Sequence, residues 1–341
     1  MQSTRNAFPT FFVLSLIGGA LAAQPQASPA KLPSPSDKVL IVLSSKDETA
    51  NVLVVNSDKL DLLKSIKVGA GPQDVCFSPD GKKAYVTQTS GGVTVLDLVN
   101  LTVSATITNA GLQRTAGIAA SADGKKVYVG ARGSNALVVL SADGKVLKQV
   151  PVKDATTVVM SHDGKRVYVA SDSTRSVLVV DTTTDAVVGT IKTGRQPRGI
   201  ALTPDGKTIL ITSVTDDVLH FVNAATNEVE STIGIGRSPQ SVAVTPDGQL
   251  AFSVTRDVSP GGGTSTVSII SLGKFESRRK IKDIPVDYMA SKVVVNSDGL
   301  LYVTCGAAEP SSTVTVIELS WMRILRFAKG GTGASGMALR Q

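Results

Sequence analysis

Seven of the chain's fourteen arginines, Arg114, Arg132, Arg175, Arg195, Arg198, Arg237 and Arg256, fall in two recurring kinds of loop. A guanidinium fork recognises a carboxylate or phosphate through two parallel hydrogen bonds, which a lysine ammonium cannot do. Lysines instead crowd the repeated Asp-Gly-Lys turns, as Lys38, Lys82, Lys83, Lys125, Lys126, Lys165 and Lys207 do. Gln73, Arg198 and Gln240 occupy one equivalent position of the same repeat. The candidate ligand-binding set is therefore Gln73, Arg114, Arg132, Arg195, Arg198, Arg237, Gln240 and Arg256. A competing reading pairs these arginines with loop acids such as Asp154, Asp172, Asp216, Asp257 or Asp287, because exposed ion pairs are common and individually weak.

Signatures of catalysis are sparse. The two histidines, His162 and His220, read as a turn residue and a packed strand residue. No His/Cys group has metal-ligand spacing, no C-x-x-C-H haem attachment motif occurs, and there is no G-x-S-x-G elbow. Gly261, Gly262 and Gly263 are followed by no Lys-Ser/Thr pair and no helix, so they form no phosphate loop. An enzyme would have to draw on loop carboxylates such as Asp47, Glu48, Asp216, Asp217, Asp257 and Glu309, with or without a divalent metal.

The loops are set by a repeat. A turn begins at Ser34, Ser78, Ser121, Ser161, Thr203, Thr245 and Asn296, in steps of 44, 43, 40, 42, 42 and 51 residues. A period of about 40–45 residues is the mark of a propeller of four-stranded blades. In Ser78-Pro79-Asp80-Gly81-Lys82 the proline presets φ for a type I turn, and the glycine supplies the left-handed residue of a hairpin. The strand after each turn carries one large residue at an equivalent position: Ile41, Tyr85, Tyr128, Tyr168, Leu210, Phe252 and Tyr302. The strands are apolar on both faces, as sheets between neighbouring blades must be, and helical periodicities are absent. The expected fold is all-β, a seven-bladed β-propeller of four-stranded blades.

At Ser78-Pro79-Asp80-Gly81-Lys82 and Tyr85-Val86-Thr87, and again at Tyr168-Val169-Ala170 and Tyr302-Val303-Thr304, the chain resembles the YVTN-type β-propeller repeat family. The resemblance spans about residues 34–340. It implies the propeller fold, and the family includes surface, periplasmic and redox-associated proteins. The motif's asparagine is replaced here by Gln88, Gly130 or Cys305. The last residues, from Gly330 to Leu339, match Gly69–Phe77, which lead into an innermost strand. The C-terminal strand is thus expected to join the N-terminal blade and close the ring, removing exposed edges.

Residues 1–23 read as a secretory signal peptide, with basic Arg5, an apolar stretch from Phe11 to Leu21, and Ala20, Ala22 and Ala23 before the cut. Residues 24–36 read as a disordered spacer and 37–341 as one propeller domain. The mature chain is expected to be periplasmic or secreted, monomeric and without a membrane span. Cys76 and Cys305 read as apolar fillers, since the first blade separates them. The net charge of +7 permits anionic partners, while an aromatic content of 4% offers few stacking platforms for nucleic acid. The leading expectation is a non-enzymatic binding or scaffold propeller, without cofactor, presenting its arginine-rich mouth to an envelope protein or an anionic ligand. The alternative is a propeller enzyme or redox accessory of lactonase, lyase or quinoprotein-associated type. Nucleic-acid binding ranks third.

Overall fold

Among the described residues, the six repeated turns from Ser78 to Asn296 are closed by their side chains as well as their backbone. The Ser78 hydroxyl donates to Asp80 Oδ1 (2.6 Å), which accepts the Lys82 N–H (3.1 Å), while the Lys83 N–H donates to Ser78 Oγ (2.9 Å). Gly81 completes the turn at φ 67°. The same pattern recurs at Ser121/Asp123, Ser161/Asp163, Thr203/Asp205 and Thr245/Asp247. In the seventh copy Asn296 does the work of both residues, accepting the N–H groups of Asp298 (3.0 Å) and Leu300 (2.8 Å).

These turns have a pH signature. Asp80, Asp123, Asp163 and Asp205 are held below the usual carboxylate range, first by the Ser or Thr hydroxyl and then by the N–H of the lysine two residues on. A depressed folded value means that the stabilisation is complete above the unfolded value of about 3.9, and is lost as pH falls through the folded one. The Tm is therefore expected to hold from pH 7 to 5 and to drop steeply below about pH 4. A variant with Asp80, Asp123 and Asp163 changed to Asn should show a shallower acid limb in a thermal-melt series.

The computed structural model describes residues 37–56, 59–109, 111–256, 264–273, 277–306 and 312–340. The segments read as signal peptide and spacer, and the glycine run at 261–263, lie outside them. Seven four-stranded antiparallel sheets form the ring. Blade 1 pairs Ala334–Arg340 with Val39–Ser44, then Thr49–Asn56 and Lys59–Lys67; blades 2 to 7 span 72–107, 115–151, 155–192, 197–234, 239–286 and 290–331. The ring is closed as expected, by one C-terminal strand added to three N-terminal ones, with Val39↔Arg340, Ile41↔Ala338 and Val42↔Met337 in register.

Seven apolar clusters fill the seven interfaces between blades, one each. The strand period of two sends alternate side chains to opposite neighbours. Tyr85 packs toward blade 3 while Val86 packs toward blade 1. Tyr85, Tyr128, Tyr168 and Tyr302 are all buried, each worth about 1.5–3 kcal/mol by area. Cys76 and Cys305 are both free thiols. Among the described residues, no helix is long and apolar enough to cross a membrane.

Candidate functional site

All seven innermost strands carry a register irregularity at the same end. A bulge leaves a residue unpaired and re-aims its side chain. Here it falls on the second and third residues of the strand, among them Gln73, Arg198 and Gln240. The freed main-chain donors are taken by the threonine of the neighbouring strand: Asp74 N–H by Thr87 Oγ1 (3.1 Å), Gly199 N–H by Thr212 Oγ1 (2.7 Å), Lys292 N–H by Thr304 Oγ1 (3.1 Å). The threonine of the Tyr-Val-Thr triplet thus supports the mouth of the channel, as the tyrosine supports the blade interface.

A cavity of about 550 Å³ opens there. Its lining brings together Gln73, Arg132, Arg198, Gln240 and Arg256 of the sequence-derived set. Arg114, Arg195 and Arg237 do not line it; all three are exposed, and Arg114 sits at a left-handed backbone position (φ 49°). The sequence reading missed Lys46, Asp74, Tyr288, Met289 and Lys292, which complete the lining. A visible signal for two of them was the residue after the Gln73/Arg198/Gln240 position, which is Asp74 in blade 2 and Lys292 in blade 7. These two form an ion pair (3.0 Å) that passes over blade 1. The passage is open because the intervening residue is Gly336, where a Cβ would overlap the Gln73 carbonyl oxygen.

The pairing reading holds for several arginines. Arg195 Nε meets Asp216 (2.9 Å), and Arg132 Nε meets Asp154 (2.7 Å). Asp172 faces two blades at once, with Oδ2 at 3.7 Å from Arg132 Nη2 and 3.4 Å from Arg198 Nη2. Those distances are long for charge-assisted hydrogen bonds. Burial pushes the Asp172 carboxyl above its ordinary value, and the opposing pull of Arg198 and Arg132 does not cancel it. Arg256 donates to Met289 Sδ (2.9 Å), a weak acceptor. Burial lowers the Arg256 guanidinium from its usual value and the Arg198 charge adds to the effect, against an opposing pull from Tyr288. Arg198 Nε, Arg256 Nε and Asp172 Oδ1 are buried without a hydrogen-bond partner. Buried donors left unmade are costly, so Arg198 and Arg256, both of which line the cavity, each carry one uncompensated N–H.

Among the described residues, no three His, Cys, Asp or Glu side chains converge as a metal site. His220 is a packed strand residue as expected. Its Nε2 accepts the Gly194 N–H (3.2 Å) beside Ser213 Oγ (3.0 Å), and Nδ1 faces Thr232 Oγ1 (2.9 Å). Burial lowers its pKa against the opposing charge of Asp216. A groove of about 850 Å³ opens between blades 4 and 5, lined by His162, Lys165 and Lys207 among others. Its Arg278 is paired with Glu230 (3.1 Å) and stacked over Phe221. That groove sets three acids, Asp163, Asp205 and Glu230, against its cations, whereas Asp74 is the one acid lining the channel mouth among the described residues.

Fold and site together define a seven-bladed propeller with a cationic, under-bonded channel mouth. The family model of the cytochrome D1 heme domain matches residues 36–245, well over half of the chain, and the protein belongs to that family. The chain is also similar to dihydro-heme d1 dehydrogenase of Pseudomonas aeruginosa, 34% identical over 122 residues. That match covers 34% of this chain and 23% of the relative, so the chain spans under a quarter of that protein's length. Among solved structures it resembles the Kuenenia stuttgartiensis hydrazine synthase (TM-score 0.67, 22% identity, 78% of this chain and 88% of that one). It also resembles a dihydro-heme d1 dehydrogenase in complex with DHE (TM-score 0.65, 18% identity, 93% and 78%). Both structural likenesses speak to fold alone. The YVTN resemblance is met at the level of the propeller, while the matching family is the haem domain. Membership of that family overturns the expectation of a non-enzymatic scaffold and favours the redox alternative. With no C-x-x-C-H motif and no His/Cys group at metal-ligand spacing, the sequence offered no haem cue of its own.

Proposed function

We propose that the protein is a redox-associated propeller that takes a haem-type tetrapyrrole at its channel mouth, as enzyme or as accessory to one. The observation that carries this reading is the pair of buried, unpartnered Nε donors of Arg198 and Arg256 on a cavity of about 550 Å³. Haem-type macrocycles carry ionised carboxylates at their rim, and a guanidinium fork matches a carboxylate. Arg132, Arg198 and Arg256 would hold those carboxylates, with Lys292 and the amides of Gln73 and Gln240 beside them. When bound, such a group would supply the electron-transfer chemistry that protein side chains lack. The chain's own part is to orient the macrocycle, neutralise its rim and limit water at one face. Of the loop carboxylates an enzyme would draw on, Asp216 is paired with Arg195 and Asp47 accepts from the Ser44 hydroxyl and the Thr332 N–H, so neither is the reacting group in this reading. A periplasmic setting for this chemistry is supported by the signal-like residues 1–23, and fractionation of the source cell would test it.

The direct test is a titration with iron protoporphyrin followed by its Soret absorption. A saturable, one-to-one shift is expected, unchanged in a variant with Arg114, Arg195 and Arg237 replaced by Ala. A linear, unsaturable rise would refute the proposal.

A further inference from the structure

Haem iron is held in proteins by a histidine, a cysteine thiolate, a methionine or a tyrosine. This chain is poor in all four at the mouth. Its two histidines are both described and both elsewhere: His162 in a turn lining the groove between blades 4 and 5, His220 bonded through both ring nitrogens on a third strand. Its two cysteines pack in blade interfaces, Cys76 against the cluster between blades 2 and 3 and Cys305 between blades 6 and 7. Of the described methionines, Met160, Met322 and Met337 pack against blade-interface clusters, and Met289 shares its sulfur with Arg256 at 2.9 Å. Tyr288 alone brings a phenol to the cavity, the other four tyrosines being buried in the blades. The cations are plentiful by contrast, and two of them have a buried donor unmade.

Resting on the tetrapyrrole reading above, we infer that the mouth recognises the macrocycle by its carboxylates and not by its metal. The tetrapyrrole is then an exchangeable guest, to be delivered, altered or handed on, and not a prosthetic group fixed by an axial side chain. Two features fit that role. The binding groups are arginines from three different blades, so the ligand is gripped at its edge. Among the described residues, no imidazole or thiol lines the cavity; of the side chains that hold haem iron only Tyr288 and Met289 reach it, and the Met289 sulfur already accepts from Arg256.

The test compares three probes on the full chain: iron protoporphyrin, metal-free protoporphyrin, and the metal-free dimethyl ester, which lacks the carboxylates. Fluorescence and absorbance titrations should give the first two dissociation constants within about threefold of each other, a difference of under one decade. The ester should bind at least about tenfold more weakly. The iron complex should keep a visible spectrum without a histidine-ligated signature, unchanged in Tyr288→Phe and Met289→Leu. An iron form bound about 30-fold or more tightly than the metal-free one would overturn the inference. So would a spectrum that changes in either variant, since that exposes an axial ligand. If neither porphyrin acid binds saturably, the tetrapyrrole reading itself fails and this inference with it. Binding of the iron form alone sinks only the inference.

Discussion

Ending the chain after Gly333 is expected to abolish the cooperative unfolding transition of the propeller. The truncation removes Ala334–Arg340, the innermost strand of blade 1, whose ladder covers Val39–Ser44. Every residue of Val39–Ser44 is buried in the closed ring. Met337 and Ala334 leave the cluster between blades 7 and 1, and the Ser335 hydroxyl no longer donates to the Pro72 carbonyl (2.6 Å). Deleting one buried Met-sized side chain costs about 2–5 kcal/mol, and total domain stability is about 5–15 kcal/mol. Adding the lost ladder and the opened edge, which invites pairing with other chains, brings the deficit to the scale of the whole. Calorimetry should show no sharp transition, and size-exclusion chromatography should show aggregation. A peptide of sequence 334–340 added in trans should restore part of the transition. A truncated chain that melts like the intact one would refute the closure argument.

The second large effect is functional. In Arg198→Ala/Arg256→Ala, affinity for iron protoporphyrin is expected to fall at least about 100-fold, because each hydrogen bond to a charged group is worth about 1.5–3 kcal/mol and two are lost. Stability should change little. Arg198 meets Asp172 only at 3.4 Å, and both arginines carry a buried Nε whose desolvation is uncompensated. Parallel titrations and thermal melts separate the two readouts. Unchanged affinity would remove these arginines from the site.

The fold was legible because its signals are local and repeated. Ser78-Pro79-Asp80-Gly81 specifies its own turn through bonds within six residues, and the copies recur at blade spacing. Closure was legible from the match between the two strand entrances at Gly69 and Gly330. Which side chains would gather was legible where position in the repeat decides direction: Gln73, Arg198 and Gln240 share one place in the inner strand and line one cavity. Arg195 and Arg237 do not join that lining, because they lie just outside the strand, in loops whose left-handed residues Gln196 (φ 56°) and Ser238 (φ 50°) set the path of the backbone. Lys292 was missed because its partner Asp74 is 218 residues away and meets it only across blade 1. The haem-family link lay beyond motif reasoning, since arginines at a channel mouth specify an anion without naming it.

The strand that completes the first blade is made long after the strands it joins, with Val39 waiting 301 residues for Arg340. During synthesis six blades can fold in order while the first keeps an open flank. Long-range pairings of this kind form late and slowly. The nascent protein therefore passes through a horseshoe with an open flank, and the ring closes only once residues 334–340 have been made.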